Sequence, residues 1–469
     1  MPTNLTASAA TFDRRALPAP RTAAAPRLAP EAAALNAYAP RNVTDAVLTE
    51  PVGRAYHYLD VVQDAYVTGG EPRLLQSYNN ESELLTTAFV YDNALTVLAY
   101  LANPTVANVR RARLVGDALL WAQDHDETYE DGRLRQAYAA GPMRFYGDDG
   151  AYFPGLKRAD GKAAHLWPFG FSGSSTGDQA WAGLALAQLY VDTRIAKYLD
   201  GAIALGRWIA EQRSPYRCGG YHGGVQADGE TVQRWASTEH NIDAYALFDL
   251  LLKLTKDKTW AVRREVAATF VRTMWNRSAG HFWSGTLGGL DDEDPNEVNT
   301  GNVPEDVQAW ELLGLGDPRF DTAVDWAITN LSTTDRDVSG VTYSSHARGE
   351  TDAVWLEGNA HTALALRQRD KPGDAARARN LLRDTVRAQE SLGAGQTVGR
   401  TSDPQDGKLS QPGEGGSWTG TPLPTNGGIV AATSPLDTGF AFGYFPRQHV
   451  GTTAWFLMAA QDFNPYRLM

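Results

Sequence analysis

Residues 237–245 read STEHNIDAY and bring Glu239, His240, Asn241 and Asp243 together at what reads as a helix start. Carboxyl groups in such company suit acid–base chemistry. One kept protonated gives a proton to a leaving oxygen; one kept ionised takes a proton from water or attacks carbon. Helix capping explains part of the pattern, since Ser237 or Thr238 can cap and Glu239 suits the first turn. Asp243 fits that account less well. It lies one turn further along the same face and gains little from the dipole. Buried, it needs a partner such as an Arg, an Asn or a sugar hydroxyl.

Five other apolar segments begin in the same manner. FVYDNAL (89–95) carries Tyr91, Asp92 and Asn93, and SSTGDQAW (174–181) carries Asp178, Gln179 and Trp181. NVPEDVQAW (302–310) carries Glu305, Asp306, Gln308 and Trp310. DAVWLEGNAH (352–361) carries Trp355, Glu357 and His361, and PRQHVGTTAW (446–455) carries Arg447, His449 and Trp455. Asp92 and Glu357 interrupt apolar runs, as Asp243 does. Glu305 and Asp306 after Pro304 read instead as ordinary helix initiation. Trp181, Trp310 and Trp455 recur at one place and read as core. No His-x-x-x-His or Cys/His spacing accompanies His240 or His361, so hydrogen bonding is expected of them rather than metal ligation, and no cofactor is called for. The glycine groups in RCGGYHGG (217–224) and at 412–428 lack a phosphate-cradling spacing and read as tight turns.

These residues need elements to hold them. Apolar residues recur at helical spacing over roughly 54–67, 85–103, 106–125, 176–190, 193–212, 237–255, 258–276, 304–314, 319–331, 353–368, 373–392 and 447–462. No long stretch alternates with period two, so strands are expected only within loops. The helices pair through short links at 102–105, 192–194, 256–259, 316–319 and 370–374. Between pairs run long connections, 126–175, 213–236, 277–303, 332–352 and 393–446. First members are apolar all round, as in YALFDLLLKL (245–254); second members are amphipathic, as in NVRRARLVGDALLWAQ (108–123). A helix apolar on every side is buried and an amphipathic one faces water. The expected fold is therefore all-α, an (α/α)6 toroid over 45–469, with the first and last helices closing the sixth hairpin. An Ala/Pro-rich tail, 1–44, precedes it. Every long loop leads into an inner helix N-terminus, so the site is expected on that one face.

The chain has 469 residues and a net charge of −12, which argues against nucleic acid as a partner. Cys218 is the single cysteine, so no internal disulfide forms. Thirteen Trp, 19 Tyr and 15 Phe form a high aromatic load, suited both to a core and to stacking on sugar rings. No apolar run is long enough to span a membrane. The N-terminal stretch lacks the apolar region of a signal peptide. As it stands the sequence is expected to stay in the cytoplasm, or to be secreted if an export signal has been removed.

Over nearly all of 50–469 the chain resembles the six-hairpin glycosidase-like superfamily. GDQAWAGLALAQLYVDTRIAKYLDGAIALGRWI (177–209) is similar to the inner–outer hairpin of unsaturated glucuronyl hydrolases and related toroid enzymes. That resemblance implies an acid/base role for Asp178. The superfamily also includes inverting endo-glucanases, polysaccharide lyases and sugar epimerases.

The expected activity is hydrolysis of an oligo- or polysaccharide by paired carboxyls. Glu239 is the expected general acid, with Asp92 or Glu357 as its partner across the ring. Inversion is expected, which requires carboxyls roughly 6.5–9.5 Å apart. Trp235, Trp355 and Trp418 are expected to stack on sugars. Arg234, His240, Asn241 and His449 are expected to orient hydroxyls, and Asp178 and Asp243 to bind substrate. A lyase would use Tyr91 or Tyr245 with His240 and Asn241, and would need Arg234, Arg348 and Arg447 to neutralise a uronate. An epimerase would use facing histidines such as His240 and His361. A non-catalytic glycan-binding toroid would not call for several buried acids.

Overall fold

The computed structural model describes residues 43–66, 72–79, 84–144, 152–166, 170–399 and 420–468. Trp418 and most of the N-terminal tail lie outside the described residues. Six outer helices alternate with six inner ones. The outer set is α1 (Thr49–Asp64), α3 (Val106–Asp124), α5 (Ala196–Glu211), α7 (Thr259–Thr273), α9 (Ala323–Leu331) and α12 (Asp374–Ser391). The inner set is α2 (Val90–Ala102), α4 (Thr176–Thr193), α6 (Thr238–Thr255), α8 (Asp306–Gly314), α11 (Leu356–Arg369) and α13 (Val450–Ala460). Each inner helix packs on the next, and α13 closes on α2, so the inner ring is complete.

Residue patterns account for the two rings. Every residue of α8 and of α13 is buried, whereas α12 buries only Asp374, Ala378, Leu382, Thr385, Ala388 and Gln389, a single stripe. Three hairpin turns use a non-glycine residue in the left-handed region: Arg194 (φ 59°), Lys256 (φ 60°) and Asp370 (φ 52°). Each returns its N–H to the carbonyl four residues back, which stops the helix and reverses the chain. The chain ends meet as expected: Gln461 Nε2 donates to Tyr56 Oη on α1 at 2.9 Å, and the Thr44 N–H reaches the Ala460 carbonyl at 3.2 Å.

Two local expectations are corrected, and the expected confinement of strands to loops holds. The first helix starts at Thr49 rather than 54, because Pro51 sits in the first turn, where a missing N–H costs nothing. Residues 87–89, expected to be helical, form a strand paired with Ala137–Ala139, and α2 begins only at Val90. The 332–352 connection holds a β-hairpin, Ser332–Asp335 with Val338–Val341, and a short helix α10 (Ser345–Glu350). Its turn needs positive φ at Arg336 and Asp337 (52° and 61°), which that dipeptide does not advertise.

The long loops are fastened by a sixfold repeat of backbone bonds. Near the start of each inner helix a side chain, an amide in five and the Thr453 hydroxyl in the sixth, clamps the chain leading to it. Asn93 holds Leu75, Gln179 holds Leu134, Asn241 holds Tyr221 and Gln308 holds Phe282, each bonding both the N–H and the C=O of that residue. Asn359 accepts from the Val341 N–H, and Thr453 does the same for Ile429. The helix starts complete the circle. The N–H groups of Val90, Thr176, Thr238, Glu305, Leu356 and Val450 donate to the carbonyls of Gln136, Gly223, Ser284, Tyr343, Ala431 and Ser77, each in the loop of the following hairpin. Loops and helix ends thus form one hydrogen-bonded annulus around the mouth. Asn241→Ala would strand the buried N–H and C=O of Tyr221. The expected loss is about 1–3 kcal/mol of stability, read as a lowered urea midpoint.

Candidate active site

Aligned on those clamps, the inner helices place side chains in two layers. Two residues before the clamp stand Tyr91, Gly177, Glu239, Asp306, Glu357 and Gly451; two residues after it stand Leu95, Trp181, Asp243, Trp310, His361 and Trp455. Positions four apart share a helix face, so the first set lies directly above the second.

The lower layer is an aromatic floor. Trp181, Trp310 and Trp455 meet at the ring centre with centroids 5.3–5.8 Å apart. Tyr466, from the C-terminal segment, packs against Trp181 at 5.0 Å and donates to Asp243 Oδ1 at 2.9 Å. Asp243 is fully buried; its Oδ2 lacks a well-formed partner, although the unpaired Trp181 indole lies beside it. Burial, then the Asp306 charge, raise Asp243 well above the usual carboxylate range despite the Tyr466 bond, and its place under the floor makes it a structural acid. The expectation that it binds substrate is corrected on that geometry.

The upper layer carries the acids. Two glycines leave room for neighbours: a Cβ at Gly177 would stand 2.5 Å from His240 Cδ2, and one at Gly451 2.3 Å from Asp92 Oδ1. Glu357 is 1% exposed and heavily bonded. Tyr91 Oη donates to its Oε1 at 2.6 Å and Thr452 Oγ1 to its Oε2 at 3.4 Å. His361 Nε2 lies 3.6 Å from it and His449 Nδ1 3.7 Å. Burial pushes Glu357 up, but His361, His449 and Tyr91 together hold it below the ordinary range, so it is ionised. His361 has no exposed surface and stands between two carboxylates, its Nδ1 3.2 Å from Glu305 Oε2. Burial alone would lower His361; Glu305 and Glu357 raise it to about 9, so it is an imidazolium at neutral pH. Thr362 Oγ1 fastens Glu305 from the other side at 2.6 Å.

Glu239 has the opposite environment. It is half-buried and makes no side-chain hydrogen bond to any described residue. Burial, then the charges of Asp306, Asp243, Asp178 and Glu357, drive it well above the usual carboxylate range, so it keeps its proton. Asp306 is pushed to about 7 by burial and by Glu305; its Oδ1 takes the Val307 N–H and its Oδ2 the Tyr343 hydroxyl, at 3.4 Å. Asp178 also reaches about 7, mainly by burial, with Ser175 Oγ donating to Oδ2 at 2.7 Å. The ring of helix starts thus holds one carboxyl pushed up and another held down, the division of labour that acid–base catalysis needs. The charges acting most strongly on these acids are other acids and two imidazoles, with no Lys or Arg among them.

The remaining expected residues separate clearly. Asp92 is buried at the same mouth, its Oδ1 3.0 Å from His449 Nε2. The Thr452 N–H lies 3.2 Å from His449 Nδ1; burial pulls the imidazole down, but the Asp92 and Glu357 charges raise it overall. Tyr78 stacks on that ring at 4.1 Å. His240 sits above Gly177 beside Trp235 (5.4 Å); burial lowers it to about 4, so it is neutral, and its Nδ1 lacks a partner. Trp235 is half-buried at the rim. Asn241 is corrected from substrate contact to loop clamp, since its oxygen and nitrogen are committed to backbone. Arg234, in the 213–236 connection, donates to the Leu290 carbonyl at 2.6 Å and so ties that connection to the 277–303 loop. Trp355 is 2% exposed within an aromatic cluster with Tyr343 and Tyr444. Asp306, read from sequence as a cap, and Tyr343, not singled out at all, join the acids. Setting the six helix starts in register would have flagged Asp306, because it falls level with Glu239 and Glu357.

No protein-family model matches the chain, and no curated protein matches it. Solved structures do. A sugar epimerase from a ruminal bacterium aligns at 10% identity over 88% of this chain and 98% of its own, TM-score 0.57. The family 76 α-mannanase of Bacteroides thetaiotaomicron aligns at 10% identity over 88% and 95%, TM-score 0.54. Cellobiose 2-epimerase from Bacillus thermoamylovorans aligns at 10% identity over 87% and 98%, TM-score 0.55. The likeness is one of fold alone, the (α/α)6 toroid. No helix among the described residues is long and apolar enough to cross a membrane.

Proposed function

We propose that the protein hydrolyses a glycosidic bond in a neutral oligo- or polysaccharide, with inversion at the anomeric carbon. The observation that supports this best is the opposed surroundings of the two acids: Glu239 makes no side-chain hydrogen bond to any described residue and stands among other acids, whereas Glu357 is held by Tyr91, Thr452, His361 and His449. Glu239 gives its proton to the bridging oxygen as the bond from the anomeric carbon breaks. A water attacks that carbon and passes its proton to Glu357, which Tyr91, Thr452 and His361 hold in place. Solvent then returns a proton to Glu239 and removes the one on Glu357. Asp92 with His449, together with Asp178, supplies hydrogen-bonding groups for sugar hydroxyls, and Trp235 and His240 form part of the rim. No cofactor enters these steps.

The absence of Lys and Arg among the charges acting on the acids speaks against a lyase, which must neutralise a uronate. An epimerase working through His240 and His361 would need both rings at the substrate, whereas His361 lies below the acids with no exposed surface. The test is incubation with neutral and uronic polysaccharides, following reducing ends, anomeric configuration and ultraviolet absorbance. Reducing ends released from a neutral glycan with inverted configuration are expected. New absorbance from a uronate polymer, or an altered sugar without cleavage, would overturn the reading.

A further inference from the structure

Phe442 is 42% exposed and is the one aromatic among the large hydrophobic side chains exposed in the described residues. A lone exposed ring needs no explanation in itself. This one is set apart by its support and its neighbours. It stands on the tight hairpin that joins the strands Leu436–Asp437 and Gly443–Tyr444. Thr438 fastens the Phe442 carbonyl twice, through N–H at 3.1 Å and Oγ1 at 2.7 Å, and Ala441 beside it is held at φ 64°. The ring is therefore presented by a rigid turn that accepts a strained residue.

From Phe442 the aromatic rings run inward without a break. Phe442 meets Tyr343 at 5.8 Å and Tyr444 at 5.6 Å. Tyr343 meets Trp355 at 4.7 Å, and Tyr444 lies 6.3 Å from the His449 ring. Exposure falls along this path, from 42% at Phe442 to 9% at Tyr444, 7% at Tyr343 and 2% at Trp355. Its inner end touches the chemistry, because Tyr343 Oη donates to Asp306 Oδ2 and His449 contacts Asp92.

We propose that the exposed Phe442 ring is a sugar platform that receives a neutral pyranose chain at the rim on the Asp306 side of the site, the buried rings of Tyr343 and Tyr444 behind it holding it in place. The apolar face of a pyranose suits an aromatic face, and the run carries no Lys or Arg, so a neutral glycan fits it better than an anionic one. The proposal rests on the hydrolase reading and adds a direction of entry to it. Substrates long enough to reach Phe442 gain affinity that short ones lack.

The test uses Glu239→Gln, which binds without turnover, and calorimetry with manno-, cello- and malto-oligosaccharide ladders from the disaccharide upward. Affinity is expected to rise with chain length in one ladder. Adding Phe442→Ala should remove that rise, weakening the longest chains by about five- to tenfold and leaving the disaccharide unchanged. Phe442→Trp, which keeps a ring, should preserve the rise. An equal length dependence with and without the Phe442 ring would overturn the platform and leave the hydrolase reading standing. Failure of every ladder to bind Glu239→Gln would overturn both.

Discussion

Glu239→Gln is expected to lower turnover of a neutral glycan by about a hundred- to ten-thousandfold while leaving the fold intact. The carboxyl it replaces is already neutral, held so by burial and by Asp306 and Asp243. It also makes no hydrogen bond that the amide would break. Glutamine therefore removes the proton donor and little else. The paired measurement is kcat with the thermal midpoint: a large fall in the first with the second unmoved is the expected result. Activity within a few-fold of wild type would remove Glu239 from the role of acid.

His361→Gln is expected to be the most destabilising single change at the site. His361 is a buried cation between Glu305 and Glu357, and breaking a buried ion pair typically costs about 3–5 kcal/mol because charge is left uncompensated. The sign with pH follows from the shift. The imidazole is raised from 6.5 to about 9, so its contribution is fully present below pH 6.5 and is lost as pH rises through about 9. Asp178 and Asp306, raised from 3.8 to about 7, act in the same direction: what they contribute below pH 3.8 is lost as pH climbs through about 7. Glu357 is lowered, so its share is present above pH 4.5 and is lost on acidification. Wild-type stability should therefore fall from mildly acidic toward alkaline pH, as read from urea midpoints. His361→Gln should lose the part of that fall lying between about 6.5 and 9. Its kcat should drop too, because Glu357 loses the charge that keeps it ionised. A variant with wild-type stability and an unchanged slope would contradict the buried imidazolium.

The toroid was legible because its signals are local and repeated. Helical spacing marks the helices, all-round apolarity marks the inner ring, and loop length marks the working face. Within the site, Glu239 and Glu357 were legible as acids interrupting apolar helices. Asp306 was not, because it does behave as a cap: one oxygen takes the Val307 N–H, and only the other turns toward Tyr343. Asn241 misled in the reverse sense. Its side chain can bind a hydroxyl or a backbone, and only the path of the preceding loop past Tyr221 decides between them. Asp243 needed a partner, as burial demanded, but that partner is Tyr466, 223 residues away in sequence and reached only when the C-terminal segment folds under the floor.

The central claim is physical: Glu239 holds a proton at neutral pH while Glu357, in the same ring of helix starts, does not. An infrared difference spectrum between wild type and Glu239→Gln at neutral pH reads this without any substrate. The account predicts loss of a protonated-carboxyl carbonyl band with the carboxylate bands unchanged. Loss of a carboxylate band in its place would show Glu239 ionised, and the assignment of acid and base would fail with it.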